Sequence, residues 1–320
     1  MGVRRVRFIQ YGLGPIGAGI AELAVARGHV LIGAVDIDPA KVGRPASALV
    51  PGAPADIRVA GDAADLLAAG ADVVLHSTRS RLPEVLPQIL PLVDAGLSVI
   101  STCEELAFPW RRYPRESAEL DALARSRGAV VVGTGVNPGF VMDVLPVVLA
   151  LPCREVRSVT VERVVDLDVR REPLRRKAGV GLTPGEFRRG VAEGRLGHVG
   201  LAESASLIAD ALGWALDALD ESVEPVLDPE GIVQGLHQVL RATVAGRELI
   251  TLDLLMARSA PRPRDAIRIH GEPSTSVEIP GGLHGDAATS ALVVNAIPRA
   301  LSAPSGLLVP TQLPPAPFRR

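Results

Sequence analysis

The sequence has few cysteines, few aromatic residues and no long apolar run. Its 320 residues include two cysteines, Cys103 and Cys153, and 3 % aromatic residues. Two isolated cysteines form neither a disulfide framework nor a metal-ligand spacing, which indicates a reducing cytoplasm. No apolar run approaches the ~18 residues that a membrane-spanning helix needs, so no membrane partner is expected.

The sequence also lacks an excess of charge of either sign. It has 34 basic and 36 acidic side chains, a net charge of −2, and no polybasic tract. Nucleic acids are bound largely by clustered basic side chains that release counterions, so a nucleic-acid partner is not expected. The histidines form no spaced set that indicates a metal. With 47 % hydrophobic residues, the chain can build a large core without disulfides or metals.

The first half of the sequence alternates short β-branched runs with longer helical patterns. Strands are predicted at 6–11, 30–35, 73–76, 99–102 and 130–132, and helices at 16–27, 63–69, 83–95 and 115–127. This alternation is typical of βαβ units in a doubly wound parallel sheet, so we expect an α/β fold of the Rossmann type. Residues 1–140 are therefore expected to form a dinucleotide-binding domain.

The pattern changes after Pro138, because strands there follow one another more closely. Strands are predicted at 156–169, 238–244, 248–256 and 266–270, and helices at 142–150, 184–193 and 202–212. We expect residues 141–285 to form an α+β domain with a mainly antiparallel sheet that binds the substrate. A helical pattern at 286–301 is expected to bring residues 286–320 back onto the first domain.

The strongest motif is Gly12-Leu13-Gly14-Pro15-Ile16-Gly17, which follows a predicted strand and opens a predicted helix. Gly12 allows a tight turn, Gly14 lets the backbone approach a pyrophosphate, and Gly17 lets the helix pack on the strand. Pro15 and Ile16 begin the helix, whose N-terminus attracts phosphate groups. The motif predicts dinucleotide binding.

Asp36 ends the next predicted strand, where an acidic side chain accepts hydrogen bonds from the adenosine ribose. Because Asp36 repels a 2′-phosphate, it favours NAD over NADP. Lys41 could neutralise such a phosphate, but we expect a solvated loop lysine. Ser77 and Thr78 follow the 73–76 strand, where they either cap the next helix or line the nicotinamide-ribose crevice.

Two further loops follow strands of the predicted sheet. Glu104 and Glu105 come directly after the 99–102 strand, and a desolvated carboxylate there would suit a general acid and base. From the residues alone, the favoured interpretation is that both are surface charges of a loop or an acidic pair at a helix N-terminus. The loop at 133–140 follows the next strand, and in it Asn137 can exchange hydrogen bonds with a ligand while Phe140 forms an apolar wall.

Together these segments resemble the 2,4-diaminopentanoate dehydrogenases and the related native amine dehydrogenases. The similar segments are the glycine turn, Ser-Thr-Cys-Glu-Glu-Leu at 101–106, Gly-Val-Asn-Pro-Gly-Phe at 135–140, Gly-His-Val-Gly-Leu at 197–201 and Asn-Ala-Ile-Pro at 295–298. The resemblance implies the two-domain architecture of dihydrodipicolinate reductase and a homodimer that uses its second domain for dimerisation. It also implies NAD(P)-dependent oxidative deamination of an amine or diamino acid, and reductive amination of a ketone with ammonia.

The resemblance further implies roles for single residues. Glu104 matches the catalytic carboxylate of the family, with Glu105 as the alternative. Phe140 matches a pocket wall, and Asn295 matches a group near the nicotinamide carboxamide.

Basic residues of the second half are candidates for contact with the substrate. The cluster Arg175–Lys177 is expected in a mobile, partly solvated loop. Whichever of Arg163, Arg176 and Lys177 points inward would meet a substrate carboxylate. His198 either hydrogen-bonds the substrate or braces its own loop.

Two other functions remain open at this level. A C=N or C=O reductase of the dihydrodipicolinate reductase type is disfavoured, because the paired-histidine motif of that enzyme has no counterpart here. A non-catalytic nucleotide-binding sensor would keep the glycine turn but would need no carboxylate beside the nicotinamide.

Overall fold

The structure, a computed structural model, describes residues 5–314 and divides into two compact units. One unit comprises the residues up to Gly139 together with those from His284 onward, and the other is Phe140–Leu283. Residues 315–320, part of the segment expected to return to the first domain, lie outside the described residues. Strands β1–β13 and helices α1–α8 are numbered in chain order.

The first unit is built on a parallel sheet of seven strands. The strands are β1 Arg7–Tyr11, β2 Val30–Val35, β3 Val59–Ala60, β4 Val73–His76, β5 Ser98–Ser101, β6 Val130–Gly133 and β13 Gly306–Leu308. Their order across the sheet is β13-β6-β5-β4-β1-β2-β3, and every neighbouring pair is parallel. The order reverses between β1 and β4, which is where doubly wound sheets bind their ligands.

Helices cover both faces of this sheet. They are α1 Pro15–Ala26, α2 Leu82–Asp94, α3 Pro114–Arg127 and α8 Gly285–Ala300. Phe8 belongs to the core cluster that includes residues of α1 and α8, whereas the next residue, Ile9, belongs to the cluster with α2 and α3. Because consecutive strand residues point to opposite faces, the apolar run of β1 is buried on both sides. The predicted Rossmann-type fold is confirmed.

The second unit contains a sheet of six strands in the order β12-β11-β7-β10-β9-β8. The strands are β7 Glu155–Asp166, β8 Leu216–Leu227, β9 Val233–Val244, β10 Arg247–Ala257, β11 Arg264–Glu272 and β12 Thr275–Pro280. All neighbouring pairs are antiparallel except β7 with β10. The mainly antiparallel α+β architecture is therefore confirmed.

Four helices accompany this sheet, namely α4 Val144–Ala150, α5 Glu172–Lys177, α6 Pro184–Ala192 and α7 Leu201–Leu212. The basic cluster Arg175–Lys177 was expected in a loop but forms the last turn of α5, where cations favour the negative end of the helix dipole. The predicted helix at 63–69 is only a 3-10 turn, Ala64–Leu66.

Among residues 5–314, no helix combines the length and apolarity required to cross a membrane. Over the same residues, no group of three or more His, Cys, Asp or Glu side chains is arranged to hold a metal ion.

Candidate active site

The candidate site lies at the carboxyl edge of the parallel sheet of the first unit. The loops after β1, β2, β4, β5 and β6 all leave the sheet at this edge, because the strands run in the same direction. The loop with Glu104 follows β5, which is separated from β1 only by β4. Two strand spacings of about 4.8 Å put the ends of β1 and β5 roughly 10 Å apart.

The glycine turn has the geometry of a phosphate-binding loop. Gly12 has a φ of +89°, and a Cβ on it would lie 2.2 Å from the Ser77 carbonyl oxygen. A Cβ on Gly17 would lie 1.9 Å from the Gly12 carbonyl oxygen, whereas a Cβ on Gly14 would meet no atom within 4 Å. Gly12 and Gly17 therefore permit close packing, and Gly14 leaves open space for a ligand.

Helix α1 begins at this turn with Pro15 in its first position, followed by Ile16. No side chain caps the N-terminus of α1. Because the first N–H groups of a helix have no acceptor within the helix, this N-terminus can donate to a pyrophosphate. The residues of the turn thus fit a dinucleotide.

Asp36 joins the end of β2 to the glycine turn. Its Oδ2 accepts the Leu13 N–H at 2.8 Å, and its Oδ1 accepts the Asp38 N–H at 2.9 Å. The Lys41 Nζ donates to Oδ2 at 2.9 Å. Burial raises the pKa of Asp36, but these three donors outweigh it and hold the pKa below its ordinary value. Lys41 is thus an ion-pair partner of Asp36 rather than the solvated lysine that we expected.

Ser77 supports the glycine turn rather than the next helix. Its hydroxyl donates to the Gly12 carbonyl at 3.2 Å and accepts the Gln10 Nε2–H at 3.0 Å. The same Gln10 amide also donates to the Gly12 carbonyl at 3.0 Å. Helix α2 has Arg81 as its N-cap and no side-chain cap, so neither Ser77 nor Thr78 caps it.

Thr78 belongs to a polar network around the buried His76. The His76 Nε2 lies 2.8 Å from the Gln88 Oε1, which also accepts the Thr78 hydroxyl, and the His76 Nδ1 lies 2.8 Å from the Ser101 Oγ. Burial lowers the pKa of His76 to about 4, against the opposing hydrogen bond with Gln88. His76 is therefore neutral near pH 7 and connects β4, β5 and α2.

The two acids after β5 differ in their surroundings. They begin the 3-10 helix Glu104–Ala107, in which Glu105 is fully buried and Glu104 is partly exposed. The Glu105 Oε2 accepts the Leu82 N–H at 2.7 Å and the Tyr113 hydroxyl at 2.8 Å. Its Oε1 accepts an N–H of Arg112 at 3.1 Å. Glu105 thus stabilises the start of α2 and anchors the loop.

Close packing also fixes the 3-10 helix against the end of β6. A Cβ on Gly133 would lie 2.4 Å from the Leu106 carbonyl carbon. Only glycine therefore fits at Gly133 without moving the segment that carries Glu104. The N–H of the neighbouring Glu105 adds a bond to the Ser80 carbonyl at 3.1 Å.

The loop after β6 is compact and turns back on itself. A Cβ on Gly139 would lie 2.4 Å from the Gly135 nitrogen, and Gly139 has a φ of +119°. The Val136 N–H donates to the Thr289 hydroxyl of α8 at 3.2 Å. Asn137 lies in this loop and is partly buried. The loop thus places Asn137 at the same sheet edge as Glu104.

Asn295 is not brought to the glycine turn. Its Oδ1 accepts an N–H of Arg27, the C-cap of α1, so it lies beside the far end of that helix. A helix of 12 residues is about 18 Å long, which separates Asn295 from the N-terminus that faces the phosphates. Its contact ties α8 to α1 and does not fit the expected position near the nicotinamide carboxamide.

In the second unit, Arg163 is already engaged within the protein. It is buried on β7, donates to the Asp265 Oδ1 at 2.6 Å and donates to the Leu283 carbonyl at 2.8 Å. Burial lowers the pKa of Arg163, whereas Asp265 opposes this shift. Asp265 thus already neutralises the charge with which Arg163 would bind a substrate carboxylate.

His198, a second candidate residue of this unit, is held through its backbone, and the charge of Lys177 affects its pKa. The Gln238 side chain accepts the His198 N–H and donates to the His198 carbonyl, both at 2.8 Å. Burial, followed by the charges of Lys177 and Arg163, lowers the pKa of His198 to about 3. The segment is therefore braced through its backbone, and its imidazole is neutral. Phe140, half-buried, begins the same unit.

Three supporting residues escaped the sequence-based prediction. Gln10 and Gln238 are polar residues that are buried within strands, and Tyr113 holds Glu105. A polar side chain in an otherwise apolar strand was the available signal for Gln10. Tyr113 had none, because its contact depends on the fold of the loop.

Comparisons with known proteins show which family the chain belongs to. The model of the 2,4-diaminopentanoate dehydrogenase C-terminal domain matches residues 140–317. A 2,4-diaminopentanoate dehydrogenase of Acetoanaerobium sticklandii is 35 % identical over 266 residues, which are 76 % of this chain and 74 % of that protein. The chain belongs to the 2,4-diaminopentanoate dehydrogenase family.

Solved structures share the fold of this 2,4-diaminopentanoate dehydrogenase family member. An amine dehydrogenase from Mycobacterium smegmatis superposes with a TM-score of 0.87 at 23 % identity, covering 99 % of this chain and 98 % of the other. The WlbA dehydrogenase from Bordetella pertussis, in complex with NADH and UDP-GlcNAcA, has a TM-score of 0.59 at 16 % identity, covering 97 % and 93 %. The family and fold expected from the sequence are confirmed.

Proposed function

We propose that the chain is an NAD(P)-dependent amine dehydrogenase in which Glu104 transfers the protons of the reaction. Membership of the 2,4-diaminopentanoate dehydrogenase family supports an oxidoreductase that acts on CH–NH2 groups. The observation that carries the role of Glu104 is the contrast within the acid pair. Glu105 is buried and bonded to three donors, whereas Glu104 is partly exposed at the sheet edge that also carries the glycine turn.

The cofactor is a nicotinamide dinucleotide, and NAD is the preferred form. The open space at Gly14 and the uncapped N-terminus of α1 support binding of the pyrophosphate. Asp36 supports the preference for NAD, because its ionised carboxylate accepts hydrogen bonds from ribose hydroxyls and repels a 2′-phosphate. When bound, the cofactor supplies the hydride acceptor or donor.

In the deamination direction, the protonated amine substrate reacts with water and the oxidised cofactor. The products are a ketone, free ammonium, the reduced cofactor and a proton. The Glu104 carboxylate first removes a proton from the substrate ammonium, so that the nitrogen lone pair can assist departure of the hydride from the neighbouring carbon. It passes this proton to solvent, accepts a proton from the water that adds to the resulting iminium, and gives that proton to the nitrogen of the carbinolamine. As the carbinolamine breaks down to the ketone, the carboxylate accepts its hydroxyl proton, which then leaves with ammonia as an ammonium ion. Its negative charge also stabilises the iminium cation.

Four residues remain candidate substrate contacts in this proposal. Phe140 contributes an apolar surface, and Asn137 of the first unit contributes an amide that can donate and accept hydrogen bonds. Lys177 is a candidate for contact with a substrate carboxylate, and the neutral His198 is a candidate hydrogen-bond partner. Arg163 is less suited, because Asp265 already pairs with it.

A panel of amines and amino acids tests the proposed function. Each compound is mixed with NAD or NADP at alkaline pH, and formation of the reduced cofactor and release of ammonia are measured. We expect 2,4-diaminopentanoate or a short-chain alkylamine to give both signals. Reduction of C=N or C=O compounds without amine oxidation would favour the reductase, and cofactor binding without turnover would favour the sensor.

The homodimer, the cytoplasmic location and the reverse reaction with ammonia stay predictions. They follow from the resemblance and from the cysteine content. Reductive amination is tested with the matching ketone, ammonia and reduced cofactor.

A further inference from the structure

The ion pair between Lys41 and Asp36 bears on which dinucleotide the protein accepts. Lys41 lies in the loop after β2, with its Nζ 2.9 Å from the Asp36 Oδ2 and 3.6 Å from the Asp38 Oδ2. The Lys41 side chain is 24 % exposed, so it is neither fully solvated nor buried. The other two basic residues of the loop between β2 and β3, Arg44 and Arg58, are both exposed, and the Arg58 guanidinium donates to the Gly43 carbonyl at 3.4 Å. The cation beside the ribose-binding carboxylate is therefore Lys41.

The hydrogen-bonding capacity of Asp36 leaves room for a ribose. Each carboxylate oxygen has two acceptor positions. Oδ2 uses both, for the Leu13 N–H and Lys41, whereas Oδ1 uses one, for the Asp38 N–H. Oδ1 can therefore accept a 2′-hydroxyl without displacing Lys41.

A 2′-phosphate poses a different problem at the same place. Its negative charge would repel an unpaired Asp36, whose other contacts within the loop are backbone N–H groups. Lys41 reduces this repulsion, because it pairs with Asp36 at 2.9 Å. An ammonium group has three donors on a flexible stem, so it can hold Asp36 and donate to a phosphate oxygen together.

We propose that Lys41 is a cofactor-specificity residue that contacts the 2′-phosphate of NADP, so that the protein binds NADP in addition to NAD despite Asp36. The proposal rests on the nicotinamide dinucleotide binding of the proposed function. It assigns Lys41 no part in the binding of NAD, whose 2′-hydroxyl uses the remaining position of Asp36 Oδ1.

The test measures binding of NADH and NADPH by nicotinamide fluorescence, without amine substrate. Lys41→Met keeps the apolar stem and removes the charge. Arg44→Ala is the matched control, because it removes an exposed basic side chain of the same loop. A hydrogen bond between charged groups predicts that Lys41→Met weakens NADPH binding about tenfold or more, while NADH binding changes less than about threefold.

Further measurements separate the possible explanations. Wild-type binding of NADPH should weaken more steeply with added salt than that of the variant, because an ionic contact is screened. Equal loss of NADH and NADPH binding in Lys41→Met, or a selective loss of NADPH only in Arg44→Ala, would overturn the proposal. So would a wild-type protein that binds NADH but not NADPH. A wild type that binds neither would instead contradict the proposed function.

Discussion

Replacing Glu105 with glutamine tests whether Glu105 contributes more to the stability of the protein than its neighbour Glu104. In the wild type, the carboxylate of Glu105 is fully buried and accepts hydrogen bonds from the Leu82 N–H, the Tyr113 hydroxyl and Arg112. A glutamine has one acceptor oxygen. If that oxygen serves Leu82 and Tyr113, then the new NH2 group faces the Arg112 guanidinium, donor against donor.

The expected loss follows from these contacts. A hydrogen bond to a charged group contributes about 1.5–3 kcal/mol, so we expect Glu105→Gln to lower the free energy of unfolding by about 2–3 kcal/mol. Glu105→Ala should cost about 3–4 kcal/mol, because it removes all three hydrogen bonds together with a buried side chain. Glu104 is partly exposed, and Glu104→Gln should cost under about 1 kcal/mol.

Urea unfolding followed by tryptophan fluorescence and circular dichroism measures these differences. Trp110 lies in the same loop as Glu105 and packs against the first unit's core, so its fluorescence reports on this region. Midpoints should fall while the dependence on urea stays unchanged. Wild-type stability of Glu105→Gln together with a destabilised Glu104→Gln would contradict the roles given to the two acids.

Two further predictions concern Asp36 and His76. Asp36→Ala should weaken binding of NADH relative to NADPH, because it removes the ribose acceptor and the repulsion of a 2′-phosphate; equal effects in a fluorescence titration would show that Asp36 does not contact the ribose. The pKa of His76 is about 4 in the folded state, below the value of about 6.5 in the unfolded state. Between these values the unfolded state binds more protons, so the protein loses stability as the pH is lowered. Because the unfolded imidazole is half protonated at pH 6.5 and almost fully protonated at pH 5, this loss is about 1.6 kcal/mol between these pH values. Urea unfolding should show a smaller pH dependence in His76→Gln, whereas an identical pH dependence would contradict a neutral His76.

Local patterns predicted the first unit well because its features are encoded within short segments. The glycine turn and Asp36 needed only a strand, a turn and a helix in sequence. Helix α2 was predicted despite Pro87 and Pro91, both of which face solvent in the structure. The apolar periodicity of α2 therefore identified the helix correctly.

Features that depend on distant contacts escaped sequence-based prediction. Strand β8 was missed because it is an edge strand whose residues are mostly exposed and whose acidic residues interrupt the apolar pattern. The pairing of Lys41 with Asp36 depends on the path of a loop. Asn295 was expected at the cofactor, but its contact with Arg27 follows from the packing of α8 on α1.

The acid pair shows the same limit within two residues. The sequence placed both carboxylates after β5, but which of them turns inward depends on the positions of Leu82, Tyr113 and Arg112. These contacts join three segments of the chain. No period or spacing of the sequence indicates them.

The most direct test of the account is turnover by Glu104→Gln alongside its binding of NADH. Glutamine keeps the size of the side chain but cannot accept a proton at neutral pH. We predict that NADH binding stays within about threefold of the wild type while amine oxidation falls by about 10²–10⁴, the usual contribution of a general acid and base. Amine oxidation at the wild-type rate in Glu104→Gln would contradict the role of Glu104 as the proton-transferring group.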